Sequence, residues 1–133
     1  MIGKKYDHKK PNLLPLLAQV KILYKRKDFY SGKKTDKVYV DYSNLDYSLV
    51  PKKALNETTK NLMYGAAKYS RENWRKVKPP KLRYSKAFLR HFVLWFFWRE
   101  KWDQESGFHH LACCICSLLF LLELDLEKCI KGR

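Results

Sequence analysis

The chain has 133 residues, which fits a single domain, and a formal net charge of +15 from 28 Lys+Arg against 13 Asp+Glu. Hydrophobic residues make up 46% and aromatic residues 15% of the chain, a composition that excludes a disordered tail. The positive charge favours polyanionic partners, which include nucleotides, nucleic acid and anionic surfaces. No apolar run reaches the roughly 18–20 residues of a transmembrane helix. The charged N-terminus is not followed by the apolar h-region of a signal peptide, so we expect neither a membrane span nor a signal peptide.

The cysteines are grouped rather than spread along the chain. Cys113, Cys114 and Cys116 fall within four consecutive residues, and the remaining cysteine is Cys129. Neighbouring cysteines this close cannot cross-link separate elements, which excludes a secreted disulfide scaffold. We therefore expect a reducing compartment, the cytoplasm.

Positive charge is concentrated at the N-terminus. Residues 1–38 carry 11 Lys or Arg against 3 Asp, and we treat residues 1–40 as a basic N-terminal extension. Apolar and β-prone stretches there are compatible with a small β-hairpin between about 20 and 42.

From Pro51 onwards the pattern is helical, and residues 41–133 are predicted to form a mainly α, bundle-like domain. Apolar residues recur at three- and four-residue spacing after Pro51 and predict a first helix. Gly65 is expected to end or interrupt that helix.

Two further long helices are predicted. The pair Pro79-Pro80 forces a break, after which residues 85–101 form a helix that is apolar nearly all round. Such a helix is expected to be buried, and its apolar surface exceeds what one small monomer covers. Residues 103–108 (DQESGF) predict a turn at Gly107, and residues 109–128 predict the last helix.

Basic and aromatic residues cluster at the end of the first predicted helix, in GAAKYSRENWRK. Lys and Arg can pair with phosphates, and Trp or Tyr can stack on a base. The alternative is an amphipathic loop that a tryptophan anchors to the core. The residues concerned are Lys68, Tyr69, Asn73, Trp74 and Arg75.

Arg90 and His91 lie inside the apolar helix, where a polar pair needs partners. In one interpretation they contact a base or a phosphate at a pocket. In the other, His91 is a satisfied core histidine and Arg90 extends to the surface.

Three acidic residues are candidates for metal binding. Asp103 and Glu105, with Glu57 from a neighbouring helix, could offer Mg²⁺ hard oxygen ligands, and the ion would neutralise a triphosphate. Alternatively, Asp103 and Glu105 only favour the N-terminus of the last helix.

A histidine and two cysteines share one face of the last helix. His109, Cys113 and Cys116 could form a zinc site with Cys129 as the fourth ligand. Zinc-binding CxxC pairs normally lie on turns, whereas this stretch is an apolar helix. We therefore favour buried structural cysteines.

Short motifs in residues 41–125 occur in the order of a known family. The stretches DYSNLDYSLVPKKAL, YGAAKYSRENWRK, FLRHFVLWFFW and DQESGFHHLACCICSLLFLLELD resemble the phage-type dATP/dGTP diphosphohydrolases, relatives of the MazG-like all-α nucleotide pyrophosphohydrolases. The resemblance implies a helical MazG-like bundle around a nucleotide pocket, usually in a dimer or higher oligomer. It also implies hydrolysis of a nucleoside triphosphate to monophosphate and pyrophosphate with Mg²⁺ (or Mn²⁺).

The resemblance also implies roles for individual residues. The residues expected to hold the metal and act in catalysis are Glu57, Asp103 and Glu105. The residues expected to bind the nucleotide are Lys68, Tyr69, Asn73, Trp74, Arg75, Arg90, His91 and His110. The chain departs from the family pattern at Ser43-Asn44-Leu45, where the family has Gly-Lys-Pro, and at Cys113, where it has histidine. Fewer acids follow the Leu-x-Pro motif than in the family, which removes metal ligands.

Three functions are compatible with these residues. The first is metal-dependent hydrolysis of a purine nucleotide or another anionic nucleotide. The second is a catalytically inactive phage protein, acting in the infected host cell, that sequesters a signalling nucleotide to counter host defence. The third is nucleic-acid binding through the basic residues 1–38 and 75–90.

Overall fold

Four α-helices and one short 3-10 helix follow one another in the structure, a computed structural model that describes residues 40–131. The 3-10 helix spans Tyr47–Leu49, and the α-helices are α1 (Lys52–Lys68), α2 (Asn73–Lys76), α3 (Pro80–Phe96) and α4 (His110–Lys131). No β-strand occurs in the described residues, and the predicted mainly α fold is confirmed. None of the described helices is long and apolar enough to cross a membrane.

The chain divides after Leu45 into two units. In the described part of the first unit, the Oδ1 atom of Asp41 accepts the N–H of Ser43 at 2.9 Å. Residues 1–39 of the predicted basic extension lie outside the described residues. So does the predicted hairpin, apart from residues 40–42, which are not in a strand.

Helix α1 continues through the glycine that was expected to end it. Gly65 lies inside α1, which ends at Lys68, so the prediction of a helix end at Gly65 is wrong. Glycine costs a helix interior about 1 kcal/mol relative to alanine. The hydrogen bonds of the surrounding turns and the packing of α1 against α4 exceed that cost.

Helix α3 begins and ends about five residues earlier than predicted. Pro80 is its first residue, a position where proline is favoured because the missing N–H has no helical partner. His91 and Val93 are buried, whereas Phe96 is 43% exposed. The expectation that this helix is buried all round is therefore wrong, because among the described helices α3 packs mainly against α4.

Helix α4 is the centre of the bundle and packs against both α1 and α3. Apart from His110 at its start, its buried face consists of small side chains, which let neighbouring helices approach closely. The Sγ atom of Cys114 lies 3.5 Å from the Phe88 carbonyl of α3, and that of Cys116 lies 3.6 Å from the Thr58 carbonyl of α1. The buried residues of this helix are His110, Ala112, Cys113, Cys114, Cys116 and Ser117.

The segment between α3 and α4 is a closely hydrogen-bonded loop. Arg99 has a left-handed backbone (φ 52°), and the N–H of Glu100 donates to the Leu94 carbonyl at 3.0 Å. Further along, the N–H of Gly107 donates to the Asp103 carbonyl at 2.8 Å, and Gly107 has φ 77°. The predicted turn at Gly107 is confirmed.

Replacing each of the two glycines in the described residues by alanine is expected to change the free energy of unfolding in opposite directions. Gly65→Ala is expected to raise the free energy of unfolding by about 0.5–1 kcal/mol, because a Cβ there meets no atom within 4 Å and the backbone is helical. Gly107→Ala is expected to lower it by about 1–2 kcal/mol, because its φ of +77° is unfavourable for a residue with a Cβ. Urea unfolding of both variants checks this. A loss of stability in Gly65→Ala would contradict it.

Candidate functional site

A cavity of about 870 Å³ lies between α1, α2, α3 and α4. It contains four of the residues that the sequence predicted to bind a nucleotide, namely Tyr69, Asn73, Trp74 and Arg75. Side chains that the sequence analysis did not select also line it. Among these are Asn61, Arg71, Arg83, Tyr84 and Glu123.

One wall of the cavity is a set of stacked aromatic rings. The rings of Trp74 and Phe120 stack at 4.8 Å and are nearly parallel (11°). Tyr84 packs against Phe120 at 5.2 Å, and its hydroxyl donates to the Trp74 carbonyl at 2.7 Å. These contacts fix Trp74 to α3 and α4, so its anchoring role is the one that the structure supports directly.

The arginines at the cavity differ in how they are engaged. Arg75 donates to Glu72 at 2.6 Å and to Glu127 at 2.5 Å, and its guanidinium lies 4.3 Å from the Trp74 ring centroid. Arg71 and Arg83 form no ion pair with any described residue. An anion in the cavity would therefore meet available charge at Arg71 and Arg83, whereas Arg75 would first have to leave its carboxylates.

Tyr69 is the accessible aromatic ring of the cavity, with 65% of its surface exposed. The Nζ atom of Lys68 lies 5.3 Å from the Tyr69 ring centroid and 6.0 Å from that of Tyr64. Lys68 directly precedes Tyr69 in the chain but does not itself line the cavity. Tyr69 is thus the ring best placed for stacking on a base.

Four polar side chains form a continuous hydrogen-bonded chain beside the loop between α3 and α4. The Nδ1 atoms of His91 and His110 are 2.8 Å apart. On one side, Arg90 donates to the Nε2 atom of His91 at 3.3 Å. On the other side, the Nε2 atom of His110 is 3.1 Å from a Glu100 oxygen. His110 is fully buried and His91 nearly so.

The donor and acceptor roles of these side chains determine which imidazole nitrogens of His91 and His110 carry a proton. Arg90 can only donate, so the Nε2 atom of His91 accepts and its Nδ1 atom carries the proton. The Nδ1 atom of His110 then accepts that proton, and its Nε2–H donates to Glu100. Both imidazoles are neutral in this arrangement. Burial and the charge of Arg90 agree with it, since they lower the pKa of His91 to about 4.

Asp103 is buried next to the two histidines. Its Oδ2 atom accepts the N–H of Ser106 at 3.0 Å and the hydroxyl of Ser106 at 2.7 Å. Burial opposes ionisation of this carboxyl, but the Ser106 hydrogen bonds and the nearby His91 and Arg90 outweigh it, so the pKa of Asp103 is lowered. Asp103 is therefore a buried carboxylate at neutral pH.

The three acids that were expected to bind Mg²⁺ are not brought together. Glu57 lies on α1 and pairs with Lys60 at 3.1 Å, and Glu105 is exposed in the loop. Within residues 40–131, the group that could hold a metal ion is Asp103 with His91 and His110. Mg²⁺ prefers oxygen ligands, so two imidazoles and one carboxylate do not fit it.

The cysteines of α4 have the surroundings of core residues. The Sγ atom of Cys113 accepts from the amide of Asn61 at 3.4 Å. Burial raises the pKa of Cys114 to about 11 and that of Cys116 to about 12, so both are protonated thiols. No cysteine belongs to a possible metal-binding group in the described part of the chain.

Together, the fold and the cavity of the described residues define a mainly helical protein with a cationic pocket and aromatic walls. Residues 31–132 match the family described as dATP/dGTP diphosphohydrolase, N-terminal, and the chain belongs to this family. The match includes residues 41–125, so the resemblance seen in the sequence motifs is confirmed. Comparisons with curated proteins and with solved structures found no match.

The exposure of each thiol predicts how fast it reacts with a thiol reagent. Cys129 is exposed, whereas Cys113, Cys114 and Cys116 are buried. In the folded monomer we expect one thiol to react rapidly with Ellman's reagent, and all four to react after denaturation in guanidinium. Cys129→Ser should abolish the rapid reaction. Rapid native reaction of a second thiol would contradict this account.

Proposed function

We propose that this protein hydrolyses a (deoxy)nucleoside triphosphate to the monophosphate and pyrophosphate, and that the nucleotide binds in the cavity beside Tyr69, Arg71 and Arg83. Membership of the diphosphohydrolase family supports the class of reaction. The observation that carries the choice of site is that one cavity combines an accessible aromatic ring with two arginines that pair with no acid among residues 40–131.

The size and chemistry of the cavity suit a nucleotide. A volume of about 870 Å³ falls in the usual range for small-molecule sites, roughly 300–1,000 Å³. The guanidinium groups of Arg71 and Arg83 offer bidentate hydrogen bonds to phosphate oxygens. Tyr69 offers a ring face to the base, and Asn61 and Asn73 offer amide groups to its polar edge.

The reaction needs a water and a stabilised leaving group. Water adds to the α-phosphorus and gives up a proton to solvent, the bond from that phosphorus to the bridging oxygen breaks, and pyrophosphate leaves with the electron pair. Arg71 and Arg83 would stabilise the negative charge that develops on the phosphate oxygens. The resemblance implies Mg²⁺ or Mn²⁺ for this reaction, and the assay below includes both ions.

A second candidate function is nucleotide binding without hydrolysis. One observation favours it: Glu57, Asp103 and Glu105 do not form a group of possible metal ligands. A pocket can keep its phosphate and base contacts after the groups that support its chemistry are lost. In that case the protein would sequester an intact nucleotide.

A single assay separates the two functions. The full chain is incubated with dATP, dGTP, ATP or GTP in Mg²⁺, in Mn²⁺ or in EDTA, and soluble and heat-released nucleotides are separated by chromatography. We expect monophosphate and pyrophosphate in the presence of metal. Intact nucleotide released only on denaturation would overturn hydrolysis and establish the binding function. Absence of both binding and products would overturn both.

The cavity itself is tested with a matched pair of variants on α3. Arg83→Gln is expected to weaken nucleotide binding by about tenfold or more, because one charge-assisted hydrogen bond is worth roughly 1.5–3 kcal/mol. Lys86→Gln removes the same charge from an exposed position that does not line the cavity, and binding should be unchanged. Equal losses in the two variants would mean that only net charge matters and would contradict this site.

We also propose that two copies of the chain associate through α4. Ile115, Leu119, Leu122 and Leu126 are exposed to solvent at a 4-3-4 spacing. Two copies of a helix with this spacing can bury such a stripe against each other. Leu119 also lines the cavity, so the second copy would border the nucleotide site.

Sedimentation of a stripe variant tests the association. We expect the wild-type chain to sediment as a dimer and Leu122→Glu as a monomer, because a buried charge in the contact has no partner. Leu82→Glu, at an exposed position of α3 outside the stripe, should remain a dimer. A wild-type chain that is monomeric at all concentrations would overturn the proposed association.

A further inference from the structure

The buried group formed by His91, Asp103 and His110 has no role in the nucleotide cavity. None of the three lines that cavity. Each offers one ligand atom, and these three atoms all lie within 4.8 Å of one another. Their buried polar atoms are hydrogen-bonded to one another or to Arg90, Glu100 and Ser106, as burial of such groups requires.

The spacing of the ligand atoms is close to that of a coordination sphere. Metal bonds of about 2.0–2.2 Å to imidazole nitrogen and carboxylate oxygen place neighbouring ligand atoms about 3–4 Å apart. The two histidine Nδ1 atoms already lie 2.8 Å apart and point at each other. Small side-chain rotations would bring all three ligands onto one ion.

The surroundings of His110 match those of a metal-binding histidine. Its Nε2–H is hydrogen-bonded to the Glu100 carboxylate at 3.1 Å, which orients the ring and leaves Nδ1 as the ligand atom. A carboxylate in this position is the usual outer partner of a histidine that binds a metal. Asp103 adds a negative charge, and its Oδ2 atom is held in place by Ser106.

We propose that His91, Asp103 and His110 bind one divalent transition-metal ion, such as Zn²⁺ or Co²⁺, in preference to Mg²⁺. Imidazole nitrogen suits these ions, and Mg²⁺ requires more oxygen ligands than the group contains. Three protein ligands leave a coordination position for water or another molecule. The proposal is independent of the proposed hydrolysis, because metal binding is measured without nucleotide.

Arg90 has a specific part in this proposal. Without metal, His91 carries its proton on Nδ1 and its Nε2 atom accepts from Arg90. When a metal occupies Nδ1, that proton moves to Nε2, where it would face the N–H of Arg90. Arg90 must then withdraw, and its positive charge also repels the ion. Arg90 therefore opposes metal binding.

Titration of the chelator-treated full chain with Co²⁺, followed by visible absorption, tests the site. We expect one equivalent of Co²⁺ to bind, with displacement by Zn²⁺ and none by excess Mg²⁺. No saturable binding would overturn the proposal. So would a thiolate-to-Co²⁺ charge-transfer band, because the ligands would then be cysteines.

Variants identify the ligands. Asp103→Asn and His91→Gln are each expected to weaken Co²⁺ binding by more than about tenfold, at least the loss seen when an outer partner is removed. His109→Gln is the matched control, since His109 is adjacent to His110 and is not a member of the group. Its affinity should equal that of the wild-type chain. Unchanged affinity in the two ligand variants would overturn the proposal.

Arg90→Gln tests the proposed metal site even if a ligand variant does not fold. This change keeps all three ligands, removes the positive charge, and supplies an amide oxygen that can accept the Nε2–H of His91. We expect severalfold tighter Co²⁺ binding. Unchanged or weaker binding by a variant that circular dichroism shows to be folded would contradict the arrangement proposed here.

Discussion

The hydrogen bond between the buried imidazoles of His91 and His110 is the interaction on which one end of the bundle depends. It joins α3 to the first residue of α4 at 2.8 Å. Two neutral rings can share this bond only if one outer nitrogen accepts and the other donates, and Arg90 and Glu100 meet these two requirements. Glu100 reaches His110 from the turn where Arg99 has a left-handed backbone. The loop conformation and the helix contact therefore depend on each other.

The helical bundle contains two polar sites with different chemistry, the cavity and the buried histidine–aspartate group. The cavity has cations and aromatic rings at an accessible surface, which suit an anionic aromatic molecule. The His91–Asp103–His110 group is enclosed and has the donors that a transition metal prefers. Cys113 interacts with residues of both sites. Its Sγ atom accepts a hydrogen bond from Asn61 of the cavity. Burial raises the pKa of the Cys113 thiol, and the negative charge of Asp103 raises it further. α4 thus contributes residues to both sites from neighbouring turns.

Helices and turns could be predicted from the sequence because local patterns determine them. Pro79-Pro80, the apolar spacing of α4 and the glycine of the 103–108 turn each act over a few residues. The errors arise where tertiary packing, rather than the local pattern, decides the outcome. Gly65 weakens a helix only slightly, and tertiary packing exceeds that cost. Apolar character all round α3 predicted burial, but among the described helices α3 packs mainly against α4 and Phe96 stays exposed.

The sequence by itself determined the family, the helical class and the basic-aromatic segment of the cavity, because these are properties of residue order and spacing. Only the tertiary structure decided which polar groups meet. Arg71 and Arg83 line one cavity although they are twelve positions apart in the sequence. Arg75, chosen for its neighbours in sequence, is held by Glu72 and Glu127. The acids that their sequence positions suggested as metal ligands do not form one group, whereas Asp103 lies close to His91 and His110. That meeting follows from the path of the loop between α3 and α4, and the path depends on backbone hydrogen bonds between residues that no local pattern relates.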